Sequence, residues 1–341
     1  MSVAAFVLRR IAWAVVALLG ISLVTFALIE VAPADRALLA LQSDEAASTV
    51  QARAEALRAL RVRFGQIDPV TGEEYPFLAR WLRWLKHAAT LDFAAASEDP
   101  AGFARRIRTA LPVTLLLSFL AVALAVAVAL PLGTWLGLHS DARLPRVVDH
   151  ALVALWAVPQ FLLGTLLVLA LAGGFGPALL PSGGLRTPGA TEWSLPAQAL
   201  DLIAHLAMPV FTLAVGPAVW LTRQLRESVA RAARSDFVHA LRGLGMDEAL
   251  IRRRIVRNAL APLATATGTL LPLLVSGSVV VERIFALPGL GDLSCRAVLA
   301  REVPMVMAMT MLGSVATLVG FVVSDLLHRA LDPRVRLAAE R

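Results

Sequence analysis

The stretch SDFVHALRGLGMDEALIRRRIVRNALAP occupies residues 235–262 and decides how the rest of the chain is interpreted. It carries five arginines and two glycines between two runs that contain no charged residue, Leu202–Leu221 and Ala259–Val281. Each run is long enough to cross a bilayer core as a helix, which takes about 20 residues. The arginine-rich stretch is therefore predicted to lie in water between two membrane helices.

The same clustering of apolar residues extends over the whole chain. Of its 341 residues 58% are hydrophobic and only 17% are charged, with a mean hydropathy of +0.71, whereas a soluble domain carries about a quarter charged residues. The chain is predicted to be an all-α membrane protein with six transmembrane helices. The charge-free runs are Ile11–Ile29, Leu111–Leu138, Ala151–Pro181, Leu202–Leu221, Ala259–Val281 and Met305–Ser324. The third run exceeds one span, so its end at 173–181 is predicted to be a loop.

Arginine placement predicts the orientation of these helices. If both termini are cytosolic, the inside segments hold 17 arginines and the short outside loops hold 4. Positive charge accumulates on the cytoplasmic side of membrane proteins, so the net charge of +7 is explained without nucleic acid. The predicted organisation is an N-tail with the first helix (1–32), a long external region (33–110), a five-helix core (111–328) that includes a cytosolic segment at 222–258, and a cytosolic C-tail (329–341).

The external region is predicted to contain its own helices. Residues 45–63 place apolar side chains on one helical face, and a turn follows at 68–72. A second helical stretch puts Phe77, Trp81 and Trp84 on one face. These aromatics are interpreted as an interfacial belt at the membrane surface, with substrate contact as the less favoured alternative.

Several classes of function are disfavoured by missing residues. A P-loop needs a lysine followed by Ser or Thr, and the one lysine here, Lys86, is followed by His87. No zinc-type or other metal-binding spacing and no catalytic constellation is found, so an enzyme is not expected. No Asp, Glu, Lys or Arg lies inside the six runs, although proton- and ion-coupled carriers use such groups. Cys295 has no partner for an internal disulfide.

The segment from 235 to 262 is predicted to fold as a helix–turn–helix. Phe237, Leu241 and Leu244 share a helical face, Gly243 and Gly245 permit a sharp turn, and Asp247 is placed to cap a second helix that carries Ile255. Contact with anionic lipid would explain the arginines but not the apolar face. An apolar face presented to the cytosol suits docking into the groove of another protein.

At this point the sequence resembles a known family. The spacing Ala240…Gly245…Ile255 is similar to the EAA motif of importer-type ABC transporter permeases, although His239 and Leu241 replace a Glu and an Ala of that motif. The rest of the chain resembles the peptide/nickel permeases of the dipeptide and oligopeptide importers. Matching segments, in order, include FVLRRIAWAVVALLGISLVTFALIEVAPAD near the start, LPSGG at 180–184, HLAMPVFTLA at 205–214, RNALAP at 257–262, VVVERIFALPGLG at 279–291 and DPRVRL at 332–337.

The resemblance implies the importer-type permease fold and a set of partners. These are a homologous second permease, two cytosolic ATPase subunits and an external binding protein, with the chain itself in the inner (plasma) membrane. It also implies that this chain needs no cofactor, since ATP and magnesium would bind the partner subunits. Peptides are the expected substrate, with nickel or another small solute as the alternative within the family. A secondary transporter or channel is the alternative of a different class.

Two groups of residues follow as candidate sites. The residues expected to contact the ATPase are Phe237, His239, Ala240, Leu241, Gly243, Gly245, Asp247 and Ile255. The segment VERIFALPGLG, together with residues 33–108, is expected to form the outer gate and the surface that meets the binding protein, with Phe285 and Pro288 at the headgroup level. Its named residues are Glu282, Phe285, Pro288, Gly289 and Gly291.

Overall fold

The computed structural model describes residues 3–31, 50–63, 66–89, 100–260, 279–300 and 302–331. Within these ranges the chain is helical, and its one β-type pairing is an isolated bridge between Ile67 and Glu74. The all-α class is therefore confirmed for the described part of the chain. The α-helices are α1 (Val3–Val31), α2 (Val50–Arg63), α3 (Phe77–Ala89), α4 (Pro100–Leu138), α5 (Arg143–Ala157), α6 (Gln160–Leu171), α7 (Leu195–Ala233), α8 (Asp236–Gly243), α9 (Glu248–Ala259), α10 (Leu290–Leu299) and α11 (Val303–Leu331). Residues 279–284 are also helical.

Four of the described helices are long and apolar enough to cross a membrane. The candidate spans are Leu8–Leu28, Ala101–Leu138, Leu195–Ala233 and Val303–Val322, and the bent pair of α5 and α6 brings the number to five if it counts as one span. These spans coincide with five of the six predicted runs. The remaining run, Ala259–Val281, falls largely on residues 261–278, which lie outside the described residues. Four to five spans are thus supported by the structure.

The third predicted run contains a helix break that its apolar pattern did not predict. The axes of α5 and α6 differ by 97° across a break at residues 158–159. Pro159 lacks an amide hydrogen and its ring clashes with the preceding turn, so it favours a break at this place. The first half begins at Arg143, eight residues before the charge-free run that starts at Ala151. The predicted loop at 173–181 is confirmed, because α6 ends at Leu171 and no helix follows before residue 190.

Two helices are longer than their apolar runs. The helix α4 begins at Pro100 and α7 continues to Ala233, so both extend well beyond the charge-free runs at 111–138 and 202–221. The reason is that a helix needs no apolar residues once it leaves the bilayer, and the charged ends of α4 and α7 still form backbone hydrogen bonds within the helix. The predicted segment 222–258 therefore starts inside a helix, and its separate short helices are α8 and α9.

The core of the chain is organised around small residues on α4. Ala121, Ala125 and Ala129 recur at every fourth position after Leu117, and all four are fully buried. The same row continues to Gly133 and Gly137, where α7 crosses at very short range: a Cβ on Gly133 would lie 2.8 Å from the Thr222 carbonyl oxygen, and one on Gly137 would lie 2.6 Å from the Val229 Cβ. Small residues at such spacing let membrane helices approach closely, so this row positions α7.

The chain divides into two compact units. The first comprises Met1–Leu8, Leu111–Asp292 and Ala316–Arg341, and the second comprises Arg9–Ala110 and Leu293–Val315. The first unit contains both candidate sites.

In the second unit, aromatic residues of α3 pack on α1. The Phe26 ring is buried and lies 5.5 Å from the Phe77 ring, and the Trp81 indole nitrogen donates a 3.3 Å hydrogen bond to the Ser22 hydroxyl. The predicted helices in this region are confirmed where they are described. The predicted turn at 68–72 is confirmed as well, since the Asp68 carboxylate accepts hydrogen bonds from the Val70 and Thr71 amides.

Candidate coupling segment and outer turn

The predicted helix–turn–helix is present, and Gly245 makes its turn. The helix α8 ends at Gly243, and Gly245 has a φ of +71°, in the left-handed region that favours glycine. The Gly245 amide donates to the Arg242 carbonyl at 2.9 Å, and the Met246 amide donates to the Leu241 carbonyl at 3.2 Å. This pair of bonds is the Schellman arrangement that ends many helices. Gly245, not Gly243, is therefore the residue that the turn requires.

The second helix of the segment starts with a side-chain cap, as predicted. The Asp247 carboxylate accepts a 3.0 Å hydrogen bond from the Ala249 amide at the start of α9. An ion pair then bridges the turn, with Arg242 Nε 2.7 Å from Glu248 Oε1. Its hydrogen bond from Arg242 lowers the pKa of the Glu248 carboxyl below its usual value. Both side chains are about half exposed, so the pair adds little stability.

One face of this helix–turn–helix packs against the chain's own core. Val238, Ile251 and Ile255 are essentially fully buried and join a hydrophobic cluster with Leu225 and Val229 of α7. Apolar burial of this kind anchors the segment to the end of α7. Ile255 was expected to contact the ATPase, but the structure places it at 2% exposure inside the chain, where a partner protein cannot reach it.

The opposite face is exposed and partly apolar. Leu244 is 79% exposed and Leu250 is 51% exposed, on either side of the turn. His239, Ala240, Gly243, Gly245 and Asp247 are exposed as well, while Phe237 and Leu241 are half-buried against the core. The prediction that Phe237, Leu241 and Leu244 share one face was wrong for Leu244, because α8 ends before it and the chain turns away. Docking by this segment stays a prediction, and its accessible apolar side chains are Leu244 and Leu250.

The outer turn, defined as residues 282–292, folds around the carboxylate of Glu282. This side chain is fully buried. Its Oε1 accepts a 2.8 Å hydrogen bond from the Thr114 hydroxyl of α4, and its Oε2 accepts a 3.0 Å bond from the Asp292 amide at the start of α10. The Thr114 hydroxyl also accepts from the Leu290 amide at 2.8 Å. Glu282 and Thr114 together satisfy two otherwise free amides at a helix N-terminus, where a negative charge is favoured.

The glycines of the outer turn leave room for this carboxylate. A Cβ on Gly289 would collide with the Glu282 carboxyl group, and one on Gly291 would lie 2.5 Å from the Val279 Cα. A second loop is held by the same turn: the Gly184 amide donates to the Phe285 carbonyl at 2.8 Å, and a Cβ on Gly183 would lie 2.5 Å from that oxygen. The segment LPSGG therefore packs backbone to backbone against the outer turn.

The expectation that Phe285 lies at the headgroup level was wrong, because its ring is fully buried and lies against Gly164 of α6. Glu282, Gly289 and Gly291 are buried too, and among the five candidate gate residues Pro288 alone is exposed. These four residues pack tightly around a buried carboxylate and are therefore not accessible from the surface. Contact with a binding protein stays a prediction, and it can involve Pro288 but not the other four residues directly.

Comparison with known proteins identifies the family. Residues 129–337 match the family described as binding-protein-dependent transport system inner membrane component. This chain belongs to that family. It is 30% identical over 334 residues to the oligopeptide transport system permease protein AppB of Bacillus subtilis, an alignment that covers 97% of this chain and 99% of that protein. It is 29% identical to the dipeptide transport system permease protein DppB of the same organism, over 77% of this chain and 80% of that protein. A putative peptide permease of Brucella suis is 29% identical over 94% and 95% of the two chains.

The matched family is one of membrane transport components. Within the described residues, no group of three or more His, Cys, Asp or Glu side chains is arranged to hold a metal ion, and Cys295 is a free, half-buried thiol. Sequence reasoning missed two polar residues of this permease, Thr114 and Asp149. Thr114 lies inside an apolar run and meets Glu282 across 168 positions of sequence, so no local pattern points to it.

Proposed function

We propose that this chain is the membrane-spanning permease of an ATP-driven importer that carries short peptides into the cell. The similarity to an oligopeptide permease over 97% of this chain and 99% of that protein supports this most strongly. The dipeptide permease and the Brucella protein carry peptide names as well. Nickel import is the alternative within the family, and a secondary transporter or channel is the alternative of a different class.

The proposal includes three kinds of partner protein. A homologous second permease completes the path through the membrane, two cytosolic ATPase subunits supply energy, and an external binding protein delivers the peptide. The lack of a P-loop lysine supports placing ATP and magnesium on the ATPase subunits, with no cofactor on this chain. The chain lies in the inner membrane with both termini in the cytosol, in agreement with the arginine distribution.

The exposed side of the helix–turn–helix is the proposed ATPase contact. Leu244 and Leu250 present apolar side chains beside the turn, and small residues at 240, 243 and 245 let another surface come close. The buried side chains Val238, Ile251 and Ile255 hold the segment on α7. Force applied at the exposed face would therefore reach the membrane helices through this apolar anchor.

The outer turn is the proposed gate, and the buried hydrogen bonds of Glu282 stabilise its fold. Glu282 fixes the turn because one of its oxygens holds the start of α10 and the other holds Thr114 of α4. Pro288 and the exposed neighbours Arg283 and Ala286 form the accessible rim. The rim is the part that we assign to the binding protein.

Uptake by cells tests this function. Cells that lack this gene should lose accumulation of labelled di- and oligopeptides and should recover it when the wild-type gene is restored. Nickel uptake in the same strains is the matched comparison, and we expect no change in it. Purified chain alone should hydrolyse no ATP above background, whereas the complete complex should do so. Normal peptide uptake without the gene would overturn the peptide assignment, and robust hydrolysis by this chain alone would overturn the permease assignment.

A further inference from the structure

Another buried carboxylate, Asp149 of α5, meets two arginines of α7. Arg226 Nη1 lies 2.6 Å from Asp149 Oδ2, a short charge-assisted hydrogen bond. Arg223 Nε lies 3.7 Å from Asp149 Oδ1, which is too long for a hydrogen bond. Asp149 is 8% exposed. The carboxylate is thus held firmly through one oxygen and loosely through the other.

The lack of a hydrogen bond between Asp149 Oδ1 and Arg223 Nε is unusual for buried atoms. Among the described residues, four buried side-chain atoms have no hydrogen-bond partner, and Asp149 Oδ1 and Arg223 Nε are two of them. A third, Thr222 Oγ1, belongs to the residue beside Arg223. Buried polar groups are nearly always paired, and an unpaired one costs more in a low-dielectric interior than in water. A closer approach of about 0.7 Å would bring the two atoms into hydrogen-bonding range.

Arg223 is the less confined of the two arginines. A cavity of about 200 Å³ lies beside it, lined by Trp156, Val219, Trp220, Arg223, Gln224 and Glu227. The Arg223 side chain is 41% exposed, whereas that of Arg226 is 24% exposed. Arg223 therefore has room to change its side-chain position, whereas Arg226 is more enclosed.

Asp149 also lies next to the part of α7 that carries the coupling segment. Leu225 and Val229 flank Arg226 on α7 and share a hydrophobic cluster with Val238, Ile251 and Ile255 of α8 and α9. A helix is stiff over one or two turns, so a displacement of that cluster moves the Arg226 turn with it. The ion pair with Asp149 joins α5 to this turn, and α5 leads through the 97° bend to α6.

We propose that Asp149 is a positioning residue for transport: it makes α5 follow α7 when the coupling segment moves, and it exchanges between holding Arg226 alone and holding both arginines. This inference rests on the proposed function. In the arrangement described here Arg226 carries the contact, and in the second arrangement Arg223 closes onto the free oxygen. Both arrangements keep the buried charge paired, so the exchange does not release α5 from α7.

The test uses the complete transporter, reconstituted with its partner subunits and binding protein. We expect Asp149→Asn and Arg223→Gln to assemble, to hydrolyse ATP, and to move fewer peptides per ATP, by roughly tenfold for Asp149→Asn, which corresponds to about 1.4 kcal/mol. The double variant Asp149→Arg with Arg226→Asp exchanges the two charges, and it should recover much of the number of peptides moved per ATP. Asp141→Asn is the matched control, because Asp141 pairs with Arg234 in an ion pair whose side chains are 89% and 67% exposed, and its ratio should stay normal.

A second readout does not depend on the transported substrate. With Cys295 replaced by Ser, spin labels at Leu144 of α5 and Glu227 of α7, both exposed, should keep one distance with and without ATP in the otherwise wild-type complex. In Asp149→Asn that distance should broaden when ATP is added. The role of Asp149 would be overturned if both variants moved the wild-type number of peptides per ATP, or if the distance between the two labels stayed narrow and unchanged in Asp149→Asn. Absence of peptide uptake by the wild-type complex would instead count against the proposed function, and the distance measurement would still decide on Asp149.

Discussion

The outer turn and the coupling turn both carry two closely spaced glycines, yet the structure uses them in opposite ways. Gly289 and Gly291 face a buried carboxylate and a neighbouring backbone and have no space for a side chain. Gly243 and Gly245 have no neighbouring atom within 4 Å of the position where a Cβ would lie. Gly245 is needed only for its positive φ. Glycine at the outer turn permits close packing, whereas glycine at the coupling turn permits a backbone conformation on an exposed surface.

The outer turn is therefore packed into the fold, whereas the coupling turn is accessible to a partner protein. The outer turn is tied through Glu282 and Thr114, so a defect there should affect folding. The coupling turn leaves Leu244 and Leu250 exposed, so a defect there should affect partner binding and leave folding intact. Substitutions that add the same atoms at the two turns can therefore distinguish the two roles.

The largest effect is expected for Gly291→Val in the outer turn. The new side chain would overlap the Val279 backbone and approach Glu282 Oε2 at 2.8 Å, and backbone atoms cannot move aside as a flexible side chain can. Overpacking costs about 1–3 kcal/mol or more, so the yield of folded protein extracted in mild detergent should fall sharply. Gly176→Val is the control, since nothing lies within 4 Å of its Cβ position. Equal yields of the two variants would contradict the close packing.

A smaller effect is expected for Glu282→Gln. The amide keeps the size of the side chain, but it places an NH₂ group against either the Thr114 hydroxyl or the Asp292 amide, each of which donates to Glu282. An unsatisfied buried donor costs about 1–3 kcal/mol, so the melting temperature of the complex and its peptide uptake should fall together. Thr114→Ser retains the hydroxyl and should melt close to the wild type. If Glu282→Gln melts like Thr114→Ser, the carboxylate is not what holds the turn.

The smallest change in stability is expected for Gly245→Ala at the coupling turn. A non-glycine residue with this φ is strained by about 1–2 kcal/mol, and no steric cost is added because the new methyl group meets no atom. Membrane insertion and pairing with the second permease should persist, while copurified ATPase and uptake should fall by roughly tenfold, the factor for about 1.4 kcal/mol. Gly243→Ala lies at a helical position with open space and adds no backbone strain, so its loss of ATPase binding should be clearly smaller than that of Gly245→Ala. Reduced ATPase binding by Gly243→Ala alone would place the critical glycine at 243.

Local patterns predicted local structure well in this chain. The helix–turn–helix, the cap at Asp247 and the helices before and after the turn at 68–72 all follow from interactions within a few residues, and the structure contains them. The same patterns failed for the break at Pro159 and for the ends of α4 and α7. A charge-free run reports how much of a helix suits a membrane, but hydrogen bonding and packing determine where the helix begins, bends and ends.

The functional roles of the two candidate sites stay predictions, and the structure corrects the placement of two of their residues. The sequence placed Ile255 and Phe285 on surfaces, whereas both are buried. An apolar side chain gives the same sequence pattern whether it packs on its own chain or on a partner protein. Tertiary packing decides between the two, because the end of α7 already covers one face of α8 and α9.

The sequence by itself determined that this chain belongs in a membrane and that an arginine-rich turn separates two apolar runs. These conclusions depend on composition and on residues a few positions apart. Only the tertiary structure showed that Glu282 meets Thr114 and that Asp149 meets Arg226, pairs that are 168 and 77 positions apart. The physical reason is that a buried charge needs partners in space, and the fold alone brings partners from such distant positions within hydrogen-bonding range.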